Sequence, residues 1–135
     1  MRHLEIENAL VRAAGDDPDA EAVAAAAIDV WRRMAARLTP VIGTQGVAVL
    51  FRRALLLTSR AFVWLAAVKD DEDADVLQES LMRGLASQEM AVAGEASAAL
   101  LIRFVELLVS LIGEALTERL LEPVWASPDT MKAIP

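Results

Sequence analysis

The densest group of residues able to do chemistry in this chain is a run of carboxylates near its middle. Five of the six residues 70–75 are acidic, and Glu79 follows Asp75 by one helical turn. Carboxylate oxygens are the preferred ligands of Mg²⁺ and Ca²⁺, which makes Asp73, Asp75 and Glu79 the candidate metal ligands. The run lacks the glycine and the spacing of an EF-hand loop. We favour a solvated acidic linker that ends in a helix cap, and we expect no cofactor.

The tetrapeptide Glu72-Asp73-Ala74-Asp75 resembles one fragment of the motifs of MazG-type helical pyrophosphohydrolases. In that family, paired Glu-x-x-Glu and Glu-x-x-Asp motifs on facing helices surround magnesium, so the resemblance implies a magnesium-dependent hydrolase. A partner motif is not found in the chain. There is no cysteine and one histidine, His3, which argues against cysteine zinc sites and Ser–His–Asp triads. We expect a protein that is not an enzyme, and the pyrophosphohydrolase remains an alternative.

Arginine side chains are the second kind of candidate site. Residues 31–69 carry six Arg, one Lys and no acid, whereas residues 1–30 and 70–135 have net charges of −5 and −9. The basic segment either pairs with the acidic segments inside a bundle or is displayed to an anionic partner. Arg53 and Arg103 are the candidate contacts for the acid group of an apolar or amphipathic ligand. The overall charge of −7 argues against a nucleic-acid partner.

Apolar residues recur every three or four positions through most of the chain, which predicts an all-α fold. We expect a compact bundle of four main helices, with a short extra helix near the N-terminus. The main helices are predicted at 18–38 with Asp17 as cap, at 44–60, at 74–86, and from between 87 and 94 to just before Pro123. Thr39-Pro40 should end the first of them. The last helix is too long for the bundle, so a bend is expected at Gly113.

A chain of 135 residues is predicted to form one domain, with a loosely packed N-terminal segment at 1–17 and a flexible tail at 126–135. The N-terminus has no apolar core of signal-peptide length. The longest charge-free runs fall short of the roughly 20 residues of a spanning helix. These features predict a cytoplasmic protein of bacterial type that does not enter a membrane.

The last predicted helix is apolar around nearly its whole circumference, and such a helix must be buried on most of its sides. We therefore predict a homodimer with a two-fold interface. Its residues are Leu56, Leu57, Leu101, Phe104, Leu108, Leu111 and Ile112. The leading functional hypothesis is a non-catalytic interaction or regulatory module with an unknown protein partner. A small-molecule binder is the alternative, and it should contain an enclosed apolar cavity, whereas an interaction module should have a filled core and an exposed groove.

Overall fold

The computed structural model describes residues 2–68 and 74–125, and helices contain 88% of these residues. No strand occurs among the described residues, so the predicted all-α fold is confirmed. The elements are α1 (Arg2–Ala14), α2 (Ala20–Thr58), a 3₁₀ helix (Val63–Ala67), α3 (Ala74–Ala86), α4 (Met90–Ile112) and α5 (Glu114–Trp125). The tail at 126–135 lies outside the described residues.

The start of α2 differs from the prediction by two residues. Asp19, rather than Asp17, is the N-cap, and its Oδ1 accepts a hydrogen bond of 2.8 Å from the backbone N–H of Ala22. Asp17 has a φ of 52°, so it lies in the turn before the helix. Either aspartate has the side chain that a cap requires. The turn geometry at Asp17 decides between them.

The break in α2 falls at Gly43, so the prediction that Thr39-Pro40 ends this helix is wrong. Pro40 lies inside α2, and the Thr39 hydroxyl donates to the carbonyl of Ala35 at 2.7 Å rather than capping a new helix. Gly43 instead leaves the helical region, with φ 81° and ψ 161°. Glycine adopts positive φ at little cost because it has no Cβ. The break divides α2 into a first arm, 20–42, and a second arm, 44–58.

The bend predicted at Gly113 is present, and it separates α4 from α5. The prediction that the helix ends before Pro123 is wrong, because α5 continues through Pro123 to Trp125. Proline removes one N–H donor, and side chains from other helices bind carbonyls nearby. Arg37 Nε donates to the Leu120 carbonyl at 3.0 Å, and Arg12 Nη2 donates to the Trp125 carbonyl at 2.6 Å.

The two halves of the chain repeat one pattern at an interval of seventy residues from the long helices onward, and the short helices before them, α1 and α3, begin seventy-two residues apart. Each half has a 13-residue helix (α1 or α3), then a 23-residue helical segment (20–42 or α4), a glycine, and a shorter helix. Residues at equivalent positions are buried in both halves: Ala26 and Ala96, Ala27 and Ser97, Val30 and Leu100, Trp31 and Leu101, Met34 and Phe104, Leu38 and Leu108, Val47 and Thr117, Phe51 and Leu121, Ala54 and Val124. A residue in one half can therefore be compared with the residue at the equivalent position in the other half.

Aromatic rings join the halves at the centre of the core. The Trp31 ring on the first arm of α2 lies 4.2 Å from the Phe51 ring on the second arm, centroid to centroid. It also meets the Phe104 ring of α4 edge to face at 4.8 Å. Aromatic pairs in such arrangements add stability beyond the burial of their surface.

The N-terminal helix is part of this core. Ile6 is fully buried, and Ala9 and Leu10 are buried beside it in the same cluster as residues of α2 and α4. The expectation of a loosely packed segment at 1–17 is therefore wrong for α1. A helix with a buried apolar stripe is held by tertiary packing even when it is short.

Among the residues that the structure describes, one helix, α2, is long and apolar enough to cross a membrane by length and composition alone. A single such helix is weak evidence for a membrane span. This one contains Pro40 and the non-helical backbone of Gly43. Backbone groups without partners are costly in lipid.

Candidate ligand-binding site

A groove of about 430 Å³ lies between α1, the start of α2 and the first half of α4. Its walls include Leu10 and Val11 of α1, Val23 of α2, and Met90 and Ala98 of α4. Its volume is within the range of about 300–1,000 Å³ that is typical of small-molecule sites. The groove opens to solvent along one side, so it is the exposed groove expected for an interaction module rather than the enclosed cavity expected for a small-molecule binder. It is nevertheless large enough to take a small molecule.

Large apolar side chains at the edge of this groove are exposed to solvent. Val11 is 69% exposed and Met90 is 47% exposed, although both line the groove. Single exposed apolar residues are common on protein surfaces, but apolar residues grouped around a concavity mark ligand or partner sites. The groove thus offers an apolar surface that the other described helices do not cover.

Ser97 of α4 lines the groove and carries a hydroxyl without a partner. Its side chain is buried, at 1% exposure, and Oγ makes no hydrogen bond within the described part of the chain. Four hydroxyls within helices or just after a helix end donate to the carbonyl four residues earlier, at 2.7 Å for Thr39, Thr58 and Thr117 and at 2.8 Å for Ser87. A buried hydroxyl without a hydrogen bond destabilises the fold. An atom of a bound molecule would remove this penalty.

Gly94 lies one helical turn before Ser97 and widens the same groove. A Cβ added at Gly94 would meet no heavy atom within 4 Å, so packing does not require glycine there. At the equivalent positions of the first half, Ala24 and Ala27 are both buried. The same helical position therefore tolerates alanine in the other half. Gly94 and Ser97 both line the groove.

The charged side chains that line the groove are Glu7 of α1 and Glu95 of α4, and both are exposed. No lysine, arginine or histidine is found among the described residues that line it. The charge at the groove is therefore negative. This is the opposite of what a ligand with an acid group would require.

The predicted interface residues are divided between the core and the surface. Leu101, Phe104 and Leu108 are buried within the chain itself, at 2% exposure or less, so their assignment to a dimer interface is wrong. These residues are buried because α2 and α1 pack against α4 and cover more of its apolar circumference than the sequence pattern indicates. Leu56 and Leu111 are each 60% exposed. Leu57 and Ile112 are half-buried.

The predicted anion contacts lie away from the groove. Arg53 is exposed on the second arm of α2, and neither it nor Arg103 lines the groove. Arg103 Nη1 lies 3.5 Å from Glu106 Oε1 on the exposed side of α4. A ligand held in this groove would therefore not contact these arginines, and their role as anion contacts stays a prediction.

The predicted metal ligands are described only in part. Asp73 lies outside the described residues, whereas Asp75 and Glu79 are exposed on α3. Glu79 Oε2 lies 3.9 Å from Arg83 Nη2. Within 2–68 and 74–125, no three His, Cys, Asp or Glu side chains are grouped so that they could hold a metal ion.

A smaller cavity of about 140 Å³ lies beside the break at Gly43, between Trp31, Thr39 and Gln78. Two of its polar groups are engaged within the protein, because Gln78 Oε1 accepts a hydrogen bond of 3.0 Å from Arg32 and the Thr39 hydroxyl donates to the Ala35 carbonyl. It falls below the usual volume of a ligand site. The groove between α1 and α4 is the better candidate.

Sequence reasoning did not identify any of the groove residues as a site. The available signal was a glycine and a serine, Gly94 and Ser97, inside an apolar helix where alanine is the usual choice. No family model, curated protein or solved structure matches this chain.

Proposed function

We propose that this protein is a non-catalytic binding module that holds a small amphipathic molecule in the groove between α1 and α4. The observation that carries the proposal is the buried Ser97 hydroxyl, which lines an apolar groove and has no hydrogen-bond partner among the described residues. A molecule with an apolar body and one hydrogen-bonding group matches that surface.

Two residues of α4 that line the groove, Gly94 and Ser97, lower the stability of the protein. A glycine inside a helix destabilises a protein by about 0.5–1 kcal/mol relative to alanine, and Gly94 is such a residue. A buried hydroxyl without a partner, like that of Ser97, costs about 1–3 kcal/mol. Both residues line the same groove, and the other half of the chain has alanine at both equivalent positions. Residues that are less stabilising than the alternatives, and that cluster at one place, are typical of functional sites.

The shape of the groove indicates how such a molecule would bind. The core beside it is filled by Ile6, Leu100 and other buried side chains, so the ligand lies on the bundle rather than inside it. The open side leaves one end of the ligand in water. An amphipathic molecule satisfies both conditions, because its apolar part is buried and its polar end remains hydrated.

A direct test uses Nile red, an uncharged apolar fluorophore, with the full-length protein. We expect a saturable rise in its fluorescence with the wild-type protein. Substitution of Gly94→Leu fills the groove and should weaken binding at least about tenfold, since a methylene group buried in an apolar site contributes about 0.8 kcal/mol. The matched control is Gly84→Ala, a helical glycine of α3 whose added Cβ would contact Val68 and Trp64 at ordinary distances.

Equal binding by wild type and Gly94→Leu would contradict the proposal, provided that both have the same circular dichroism spectrum. Native mass spectrometry of freshly purified protein supplies a second readout. An extra mass that is released on denaturation and absent from Gly94→Leu would support a ligand in this groove.

The homodimer remains a second proposal, and it applies to different residues. Leu56 and Leu111 are large apolar side chains exposed to the same degree, 60%. With three of the seven predicted residues buried in the core, the proposed interface consists of Leu56, Leu57, Leu111 and Ile112. An isologous pair of such surfaces is the commonest arrangement in homodimers.

A further inference from the structure

We infer that the groove selects an amphipathic cation, a molecule with an apolar body and an ammonium or guanidinium group. The inference rests on the proposed function and adds the chemical class of the ligand. It reverses the sign of the ligand charge that the sequence predicted from Arg53 and Arg103.

The charge of the groove is the first argument. Glu7 and Glu95 stand on its two sides, on α1 and α4, and each belongs to the lining. The one arginine of α1 with a described side chain, Arg12, is directed to the carbonyl of Trp125. A cation seated between the two carboxylates gains Coulomb energy from both, and an anion is repelled by both.

The helix N-termini beside the groove do not reverse this charge. A helix N-terminus has a partial positive charge that attracts anions, and both α2 and α4 begin close to the groove. At α2 the cap Asp19 already binds the N–H of Ala22, and Glu21 lies in the first turn. At α4 the first residue follows Glu89. A carboxylate thus caps the N-terminus of α2, and at α4 the N-cap residue Glu89 is itself acidic although its side chain makes no cap hydrogen bond.

The position of Ser97 specifies a second contact. Its hydroxyl is buried at 1% exposure, whereas Glu7 and Glu95 are exposed at the rim. A ligand that reaches both has its charged group near the rim and a hydrogen-bonding atom toward the floor. A hydroxyl or carbonyl group on the apolar body would meet Ser97, since the serine hydroxyl both donates and accepts.

Three molecules with the same ten-carbon chain provide the test: decyltrimethylammonium, decanol and decanoate, each below its aggregation concentration. Displacement of Nile red from the full-length protein at low ionic strength measures each affinity. We expect decyltrimethylammonium to bind at least about tenfold more tightly than decanoate, since both exposed carboxylates attract the cation and repel the anion. Added salt should reduce that ratio.

The double variant Glu7→Gln/Glu95→Gln should bring the ratio close to one and leave decanol binding unchanged. Its matched control is Glu79→Gln/Glu122→Gln, which removes the same charge from exposed positions outside the lining. The control should keep the wild-type ratio. If the ratio falls equally in both variants, the preference for the cation arises from the net charge of the protein, and the inference is overturned.

The remaining outcomes separate the two proposals. If decanoate or decanol binds as tightly as the cation, the inference on charge is overturned and the proposed function stands. If none of the three molecules, nor Nile red, binds to the wild-type protein, the proposed function fails and the inference fails with it.

Discussion

Gly43 and Gly113 lie seventy residues apart and have nearly the same backbone conformation, with φ and ψ of 81° and 161° at the first and 89° and 160° at the second. Each follows an isoleucine and ends a 23-residue helical segment. This region of conformational space is essentially restricted to glycine. The two halves of the chain therefore bend at equivalent positions and for the same reason.

Alanine at either glycine should destabilise the protein through backbone strain alone, because an added Cβ would have no heavy atom within 4 Å at either position. We expect Gly43→Ala and Gly113→Ala each to lower the free energy of unfolding by about 1–3 kcal/mol. Urea denaturation measures the change. Gly84→Ala, at an ordinary helical position, is the control and should leave stability equal or higher. Equal losses at all three glycines would contradict the assignment of strain.

The groove residues should show the opposite behaviour, with a gain in stability and a loss of binding. Gly94→Ala should raise the free energy of unfolding by about 0.5–1 kcal/mol. Ser97→Ala should raise it by up to about 1 kcal/mol, because it removes a buried hydroxyl that has no partner. Thermal unfolding and Nile red titration of the same samples measure both effects. A loss of stability in Ser97→Ala would indicate that its hydroxyl is satisfied within the protein.

Two arginines from other helices should hold the end of α5 in place. Arg12→Gln and Arg37→Gln each remove a charged hydrogen bond to an α5 carbonyl, for which we expect a loss of about 0.5–1 kcal/mol because both side chains are exposed. Hydrogen exchange should accelerate in α5 and stay unchanged in α3. Arg103→Gln is the control, since its partner Glu106 is on the same helix. Uniform acceleration in all helices would argue against a local role.

The proposed dimer can be tested by measuring the mass of the protein in solution. Native mass spectrometry or sedimentation should find a dimer of the 14.6 kDa chain. The double variant Leu56→Lys/Leu111→Lys should weaken it at least about tenfold, because it places charges in the interface. Val63→Lys is the control, since Val63 is 75% exposed and not among the interface residues. A wild-type mass equal to one chain at every concentration would rule out the dimer.

The sequence by itself determined the helical class, the approximate position of each main helix and the bend at Gly113. These features depend on local chemistry. The spacing of Leu77, Leu81 and Leu85, for example, places them on one face of α3 wherever that helix packs, and all three are buried. Glycine at position 113 permits a positive φ irrespective of its neighbours. Patterns of this kind can be recognised without knowledge of the tertiary structure.

Features that depend on two or more competing local signals were predicted less well. Thr39-Pro40 and Gly43 are both capable of interrupting a helix, and the break occurs at the glycine. Pro123 predicted the end of the last helix, but Arg12 and Arg37 supply contacts from helices far away in the sequence. The sequence shows each signal and not the packing that selects between them.

Only the tertiary structure decided which apolar residues are covered and which line a groove. Leu101 and Val11 are both apolar helical residues, yet the first is 2% exposed and the second 69%. The difference arises because α2 covers one side of α4, whereas α1 leaves an open space beside Gly94 and Ser97. Burial depends on contacts between helices that are distant in the chain, and a helical pattern specifies only which face is apolar. The candidate site lies in the space between helices, so the sequence of α4 shows Gly94 and Ser97 but not the groove that they line.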